Sequence, residues 1–371
     1  MIVRISEVCE QIRGVSYKPT DMTNSLTGIP ILRSNNISGD VINYNDLVYI
    51  KKERVSPNQF LRKGDILIST SSGSKNLVGK AGLIERNLTS SFGAFCKVLR
   101  AYNISSEYLF HYFCSDAYRN KISTLSAGVN INNIRNEHID TLEIPIHTPA
   151  EERKIIKILN ETKFLILKRR EQLVKLEELA KSRFIEMFGD NHSELVPLEQ
   201  LCDFIRNGAN IRQSKGSGGY PITRIETISN NVFNLDRLGY AGITTLDKYE
   251  NYILKNGDIL VSHINSEKYL GRAVQYKGQQ KIIHGMNLLC VRPKKTTIAT
   301  FLEYYLRSKP TKEYISKITK KAVNQASFSV SDYKKLPVMN ISKNECMAFN
   351  SFIEQLDKSK FRIKKSLEKL E

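Results

Sequence analysis

The chain contains itself twice, and that duplication limits what it can fold into more than any motif does. Val3-Arg4-Ile5-Ser6-Glu7-Val8-Cys9-Glu10 returns as Val196-Pro197-Leu198-Glu199-Gln200-Leu201-Cys202-Asp203. Gly28-Ile29-Pro30-Ile31-Leu32-Arg33 returns as Gly219-Tyr220-Pro221-Ile222-Thr223-Arg224. The clearest pair is Lys63-Gly64-Asp65-Ile66-Leu67-Ile68-Ser69 and Asn256-Gly257-Asp258-Ile259-Leu260-Val261-Ser262. Leu77-Val78-Gly79-Lys80-Ala81 is echoed by Tyr269-Leu270-Gly271-Arg272-Ala273, and Tyr108-Leu109-Phe110-His111-Tyr112-Phe113 by Phe301-Leu302-Glu303-Tyr304-Tyr305-Leu306. The order is kept at a separation of about 193 residues, so one unit is used twice.

Each unit has the same internal grammar. Short runs of Ile, Val and Leu are punctuated by Gly, Asn and Ser, the pattern of strands and turns. Asn-Gly-Asp before an apolar run is a turn into a buried strand, with the Asp capping backbone N–H groups. One aromatic helix follows in each half, over residues 106–125 and 298–320. The expected class is α+β, with a strongly β core.

A long helix follows each globular part. From Glu151 to Phe188 there is no Gly or Pro. Steps of four and three run through Ile155, Leu159, Thr162, Ile166, Arg169, Leu173, Leu176, Ala180, Arg183 and Met187. The second seam is Phe349, Ile353, Leu356, Lys360, Ile363, Leu367 and Leu370, the 3.5-residue repeat of a coiled coil. Two equal units related by a pseudo-twofold axis make these helices antiparallel. A helix of roughly 38 residues spans on the order of 55 Å. The expected divisions are a globular domain over 1–148, a helix over 149–188, a second globular domain over 189–341 and a helix over 342–371.

Catalysis leaves no mark. There is no GxxxxGK[ST] phosphate cradle, and no GxGxxG follows a strand. Neither Asn-Pro-Pro-aromatic nor Asp-Pro-Pro-Tyr occurs, and the six histidines lack ligand spacing. Asp65 and Asp258 fail as nuclease carboxylates, because no partnering acid is repeated downstream. The six cysteines form no C-x-x-C pair, which speaks against a thiolate zinc site or a disulfide scaffold and for a reduced, cytoplasmic setting. No apolar run is long enough to span a membrane. The balance of 56 Lys and Arg against 38 Asp and Glu, a net charge of +18, favours a polyanionic partner.

The duplicated domain, the Ile29-Pro30-Ile31-Leu32-Arg33 segment, the Gly64-to-Ser69 strand and the helix end at Lys175–Asp190 together resemble the specificity subunit of type I restriction–modification enzymes. That resemblance covers nearly the whole chain. It implies a non-catalytic protein with two target recognition domains, each reading one half of a split, asymmetric sequence in double-stranded DNA, and with helices that set the unread spacer. It also implies two methyltransferase subunits docked on the helices, and leaves room for two motor–nuclease subunits. S-adenosylmethionine, ATP and Mg would then belong to those partners, with no cofactor or metal in this chain. The competing readings are a self-contained DNA-modifying enzyme with duplicated target domains and a coiled-coil protein adaptor.

Three polar patches differ between otherwise matched units, as two readers of different half-sites would. The first follows the Gly-Asp strand: Ser72, Ser74, Lys75 and Lys80 in one half, and Asn265, Ser266, Lys268, Tyr269 and Arg272 in the other. Small hydroxyl and amide groups can bond phosphates or base edges, and the cations can neutralise phosphate. The second patch is Arg33, Asn35 and Asn36, opposite Arg224, with Arg212 and Lys215 preceding it. The recurrence of Arg33 as Arg224 points to a backbone or structural role, whereas Asn35 and Asn36, opposite Glu226 and Thr227, are favoured for discrimination. The third is Asn130, Asn132 and Asn133, opposite Asn324 and Gln325, amides suited to adenine.

Overall fold

The computed structural model describes residues 1–71, 78–126, 133–189, 194–213, 218–322 and 325–371. It divides into two units, Met1–Leu167 and Lys168–Glu371. In the first unit, β1 (Cys9–Arg13), β2 (Ile66–Ser69), β3 (Ala81–Leu83) and β4 (Cys96–Ala101) form an antiparallel sheet in the order β1-β4-β2-β3. In the second, β5 (Cys202–Asn207), β6 (Ile259–Val261), β7 (Ala273–Gln275) and β8 (Leu289–Pro293) repeat it as β5-β8-β6-β7. The duplication read in the sequence is thus a duplication of topology.

The central strands explain why their sequences are unbroken apolar runs. Ile66 and Ile68 face a core built with helical Leu109 and Phe113, while Leu67 faces another built with Leu32 and Phe92. Both faces of β2 are covered, so it shows no polar alternation. In β6, Ile259 and Val261 face one core and Leu260 the other.

The turn into each central strand is as expected and carries more than expected. Gly64 and Gly257 have φ of 91° and 98°, the left-handed region where a side chain is strained. Asp65 accepts the Arg62 N–H, and Asp258 the Lys255 N–H, each at 2.8 Å. A second partner then closes on each carboxylate. Arg100 donates from Nε and Nη2 to Asp65 at 2.8 and 2.7 Å, and Arg292 does so to Asp258 at 2.7 and 2.6 Å. The same Nη2 atoms also bond the carbonyls of Phe60 and Ile253. Bidentate pairing inside the fold uses up both carboxylates, which have no free oxygen for catalysis.

The ends of each unit's globular part are tied together. Ile2–Arg4 pairs with Glu143–Pro145, and Leu195–Pro197 with Pro337–Met339, both antiparallel. The chain therefore leaves each globular part where it entered and runs directly into a long helix.

The single aromatic helix expected in each half is two helices. In the first unit α1 (Ser106–Cys114) and α2 (Asp116–Ser126) are separated by Ser115, whose extended backbone ends the first helix and whose hydroxyl bonds the Tyr112 carbonyl. A long helix, α3 (Pro149–Phe188), follows. In the second unit α4 (Ala299–Leu306) and α5 (Lys309–Ile318) are separated by an extended Ser308. Pro310 lies in the first turn of α5, where its missing N–H costs nothing. Lys320, placed in a helix by the sequence pattern, lies in a strand, Lys320–Lys321, paired with Ala326–Ser327.

The boundary between the units falls inside α3. Its first part packs Ile155 and Ile156 on the first unit's core; its last part buries Ala180, Phe184 and Phe188 in the second's. The C-terminal helix α6 (Lys343–Leu367) buries Phe349, Ile353 and Leu356 in that same core. Within the second unit the two helices run antiparallel: Phe184 meets Phe349, Arg183 covers Phe352, Glu177 bonds Lys360 and Arg170 bonds Glu371. The seam is half-buried at Ile166, Leu173, Leu176, Ile363, Leu367 and Leu370, while Leu159 is exposed. The polar seam residue Lys360 meets Glu177 at 2.8 Å, and Arg307 meets it at 3.0 Å, a pairing that fixes register.

Candidate nucleic-acid interface

In the first unit the described residues of the three sequence patches converge on the end of β2. Ser69 donates from Oγ to Ser34 Oγ at 2.9 Å, which places the Arg33–Asn35 turn against the strand. Two residues on, Ser71 forms an antiparallel bridge with Asn133, and the Ile134 N–H bonds the Thr70 carbonyl at 2.7 Å. The second unit makes the equivalent junction: Ile264 and Asn265 pair with Ser327 and Ala326. Segments far apart in sequence thus share one edge in both units, which spacing alone does not reveal.

The side chains at this edge divide into available and committed groups. Asn133 and Gln325 are exposed, and Gln325 and Ala322 bond each other through both backbone groups. Ser266 and Lys268 are exposed. Asn265 is half-buried and bonds the Ser262 hydroxyl, while its carbonyl oxygen accepts the Ser266 N–H. Lys80 and Arg272 stand at matched positions after Gly79 and Gly271, whose φ values of 80° and 72° turn the chain back into the sheet. Both are half-buried. Arg212 is exposed, and Arg224 lies 3.4 Å from Glu226. Ser72, Ser74, Lys75, Asn130, Asn132, Lys215 and Asn324 lie outside the described residues.

Asn36, expected among the sequence-reading amides, is instead part of the fold. It is 1% exposed, donates to the Asn43 and Asn45 carbonyls at 3.0 and 2.8 Å, and accepts the Arg33 N–H at 2.8 Å. Thr227, its counterpart, is fully buried, accepts the Arg224 N–H and donates to the Arg237 carbonyl. The two differ in identity yet perform one task, holding the turn, so Asn36 leaves the set of candidate readers. Asn35 stays exposed, but it and Arg33 both bond Asp46 Oδ2, at 3.0 and 3.1 Å. An ion pair this open is worth at most about 1 kcal/mol, so a phosphate can displace it.

The second unit adds a cationic cleft of about 600 Å³. Lys181, Lys268, Arg272, Lys309 and Lys312 stand on it, and among the described residues its lining has no Asp or Glu. Tyr269, 38% exposed, is flanked by two of them, Arg272 at 4.8 Å and Lys268 at 5.5 Å from its ring centre. Cations held over an aromatic ring present both charge and a stacking face. Lys320, opposite Ser327, is a further exposed cation; the helical periodicity around it hid the strand in which it stands. Burial at the same edge pushes His263 down to about 4, which keeps the imidazole neutral at physiological pH.

A duplicated framework whose divergent polar tips adjoin cationic surface defines a nucleic-acid-reading class of protein. Comparison with known proteins gives the family. The type I restriction modification DNA specificity domain matches residues 1–177 and again 191–371, and the chain belongs to that family. It is 30% identical over 380 residues to the type I restriction enzyme EcoKI specificity subunit of Escherichia coli (strain K12), covering 96% of this chain and 82% of that one. It is 35% identical over 302 residues to the StySPI specificity subunit of Salmonella potsdam, covering 75% and 64%. Among solved structures, a chain of a type I R-M system studied for complex assembly and conformational transition shares the fold, with a TM-score of 0.59 at 18% identity over 100% of this chain and 94% of that one. The role is that of a specificity subunit, a non-catalytic one.

Proposed function

We propose that each unit reads one half of a bipartite, asymmetric DNA sequence through the edge at the end of its central strand, while α3 and α6 hold methyltransferase subunits and set the unread spacer. The observation that carries this reading is the repeated junction, Ser71 with Asn133 and Ile264 with Ser327: one framework, two differently furnished tips. Phosphate contact falls to Lys80 in the first unit and to Lys268 and Arg272 in the second; base discrimination falls to Asn35, Asn133, Ser266 and Gln325.

Partner docking is supported by apolar side chains that the long helix leaves in solvent on one side, including Leu167 at 53%, Val174 at 58% and Ile185 at 65% exposure. Isolated exposed residues are ordinary, but a series along one helix fits a partner helix. Methylation with S-adenosylmethionine, and ATP- and Mg-dependent translocation and cleavage, belong in this reading to methyltransferase and motor–nuclease subunits. No described helix is long and apolar enough to cross a membrane. In the cytoplasm, the chain would meet both DNA and those partners.

The test is methylome sequencing of cells expressing the chain with its methyltransferase, and of the same cells without the chain. Methylated adenines in a split motif that vanish without it support the reading; methylation indifferent to its removal turns the assignment to a protein adaptor. Inserting seven residues into α3 is expected to change the spacer, and an unchanged spacer removes the ruler.

A further inference from the structure

A tight turn precedes β4 in the first unit and β8 in the second, built identically. Val15 bridges Gly93 and Ala209 bridges Gly285, both parallel; the Ala94 N–H then bonds the Val15 carbonyl, and the Met286 N–H the Ala209 carbonyl. The tip is Ala94-Phe95 in one unit and Met286-Asn287 in the other. In the first unit this turn lies within the interface. The Phe95 carbonyl accepts the N–H groups of Thr70 and Ser71 at 2.9 and 3.2 Å and the Thr70 hydroxyl at 3.1 Å. Ser71 bridges Asn133, and the next residue, Cys96, touches Ser34.

The turn's flanks are buried, yet its apolar tip is not. Phe95 is 69% exposed between fully buried Phe92 and nearly buried Cys96, and Met286 is 43% exposed between buried His284 and Leu288. A lone exposed apolar residue is unremarkable. Here each unit keeps one large apolar group on the same rigid turn and moves it by a single position. Carbon and sulfur cannot pair with phosphate, so the chemistry left to such a group at a DNA-reading edge is apolar contact with a base.

We infer that this turn is a further specificity element, in which Phe95 in one unit and Met286 in the other contact the C5-methyl group of a thymine. The inference rests on the DNA-reading function proposed above and names a determinant within it. An apolar contact of this kind distinguishes A·T from G·C pairs in the major groove and involves no counterion release.

The experiment compares motifs methylated by the complex carrying the wild-type chain, Phe95→Ala, Phe95→Leu or Met286→Ala. Phe95→Ala is expected to lower discrimination roughly tenfold at one A·T position of one half-site, leaving the other half and the salt slope unchanged. Phe95→Leu should restore most of it, and Met286→Ala should act on the opposite half. Uracil in place of that thymine should weaken the wild-type complex by a similar factor and leave Phe95→Ala indifferent. An unaltered motif, a relaxed G·C position, or equal loss in both halves overturns the inference while the DNA-reading function stands. A wild-type complex with no chain-dependent motif overturns both.

Discussion

The two units share their skeleton and differ at their tips, and the differences are not spread evenly. Both use a left-handed Gly, a buried Asp and a bidentate Arg to anchor the central strand: Gly64, Asp65 and Arg100 in one, Gly257, Asp258 and Arg292 in the other. Where a side chain supports the framework, identity changes but the task is kept, as with Asn36 and Thr227. Even the core is not fully copied. Lys97 is buried and bonds Gln11 and Asn136, whereas the strand position that matches it holds Leu289, packed in an apolar cluster. Burial pushes the Lys97 ammonium below its ordinary range. Where side chains point outward, at Asn35 against Glu226 or Phe95 against Asn287, chemistry changes outright. Difference between repeats therefore identifies readers only after burial has been taken into account.

The anchor gives the largest expected effect. Asp65→Ala and Asp258→Ala each strand a mostly buried guanidinium, at a cost of about 3–5 kcal/mol. Denaturant unfolding followed by hydrogen exchange should place each loss in its own unit; losses that spread equally would deny that the units are separate.

Next come the glycines that return the chain to the sheet. Gly79→Ala and Gly271→Ala both place a side chain at positive φ, for about 1–2 kcal/mol. Gly271→Ala should cost more, because its new Cβ would lie 2.3 Å from Ile315 Cδ1, whereas at Gly79 the nearest atom is 3.2 Å away. Equal melting shifts would show that Ile315 yields freely.

A smaller effect separates phosphate contact from reading. Lys268→Ala or Arg272→Ala should weaken DNA binding across all sequences and flatten the salt dependence by about one ion each. Lys80→Ala should do the same through the other unit. A change of motif instead would make these cations base readers.

The smallest effect is one of pH and belongs to the second unit alone. Burial raises the Glu177 carboxyl, but Lys360 and Arg307 outweigh it and leave the group below the usual carboxylate range. A lowered acid stabilises the fold fully above its unfolded value, near 4.3, and loses that contribution as pH falls through the folded value. Acid unfolding of the second unit should therefore be shallower in Glu177→Gln. An unchanged acid profile would show that the pair contributes nothing.

The legible part of the molecule was whatever periodicity and repetition encode. Tandem similarity predicts two equal topologies; unbroken apolar runs after Gly-Asp predict buried strands; the 3.5-residue seam predicts α3 and α6, and a pseudo-twofold relation of the units predicts their antiparallel course. The breaks in the aromatic helices are hidden in the sequence because Ser115 and Ser308 make them by backbone conformation, in segments whose apolar spacing runs on. Arg100 and Arg292 escaped notice because a buried cation has no signature apart from its partner, which is distant in sequence. The structural task of Asn36 is hidden in the same way, because burial and not its identity sets it.

By itself the sequence determined the number of units, their class and their long helices, because these follow from local spacing and from one unit being used twice. Only the tertiary structure decided that the polar patches meet at the end of a central strand, which amides remain free, and that Phe95 stands exposed among them. Those outcomes depend on cross-strand register and burial, which link residues that have no fixed separation along the chain.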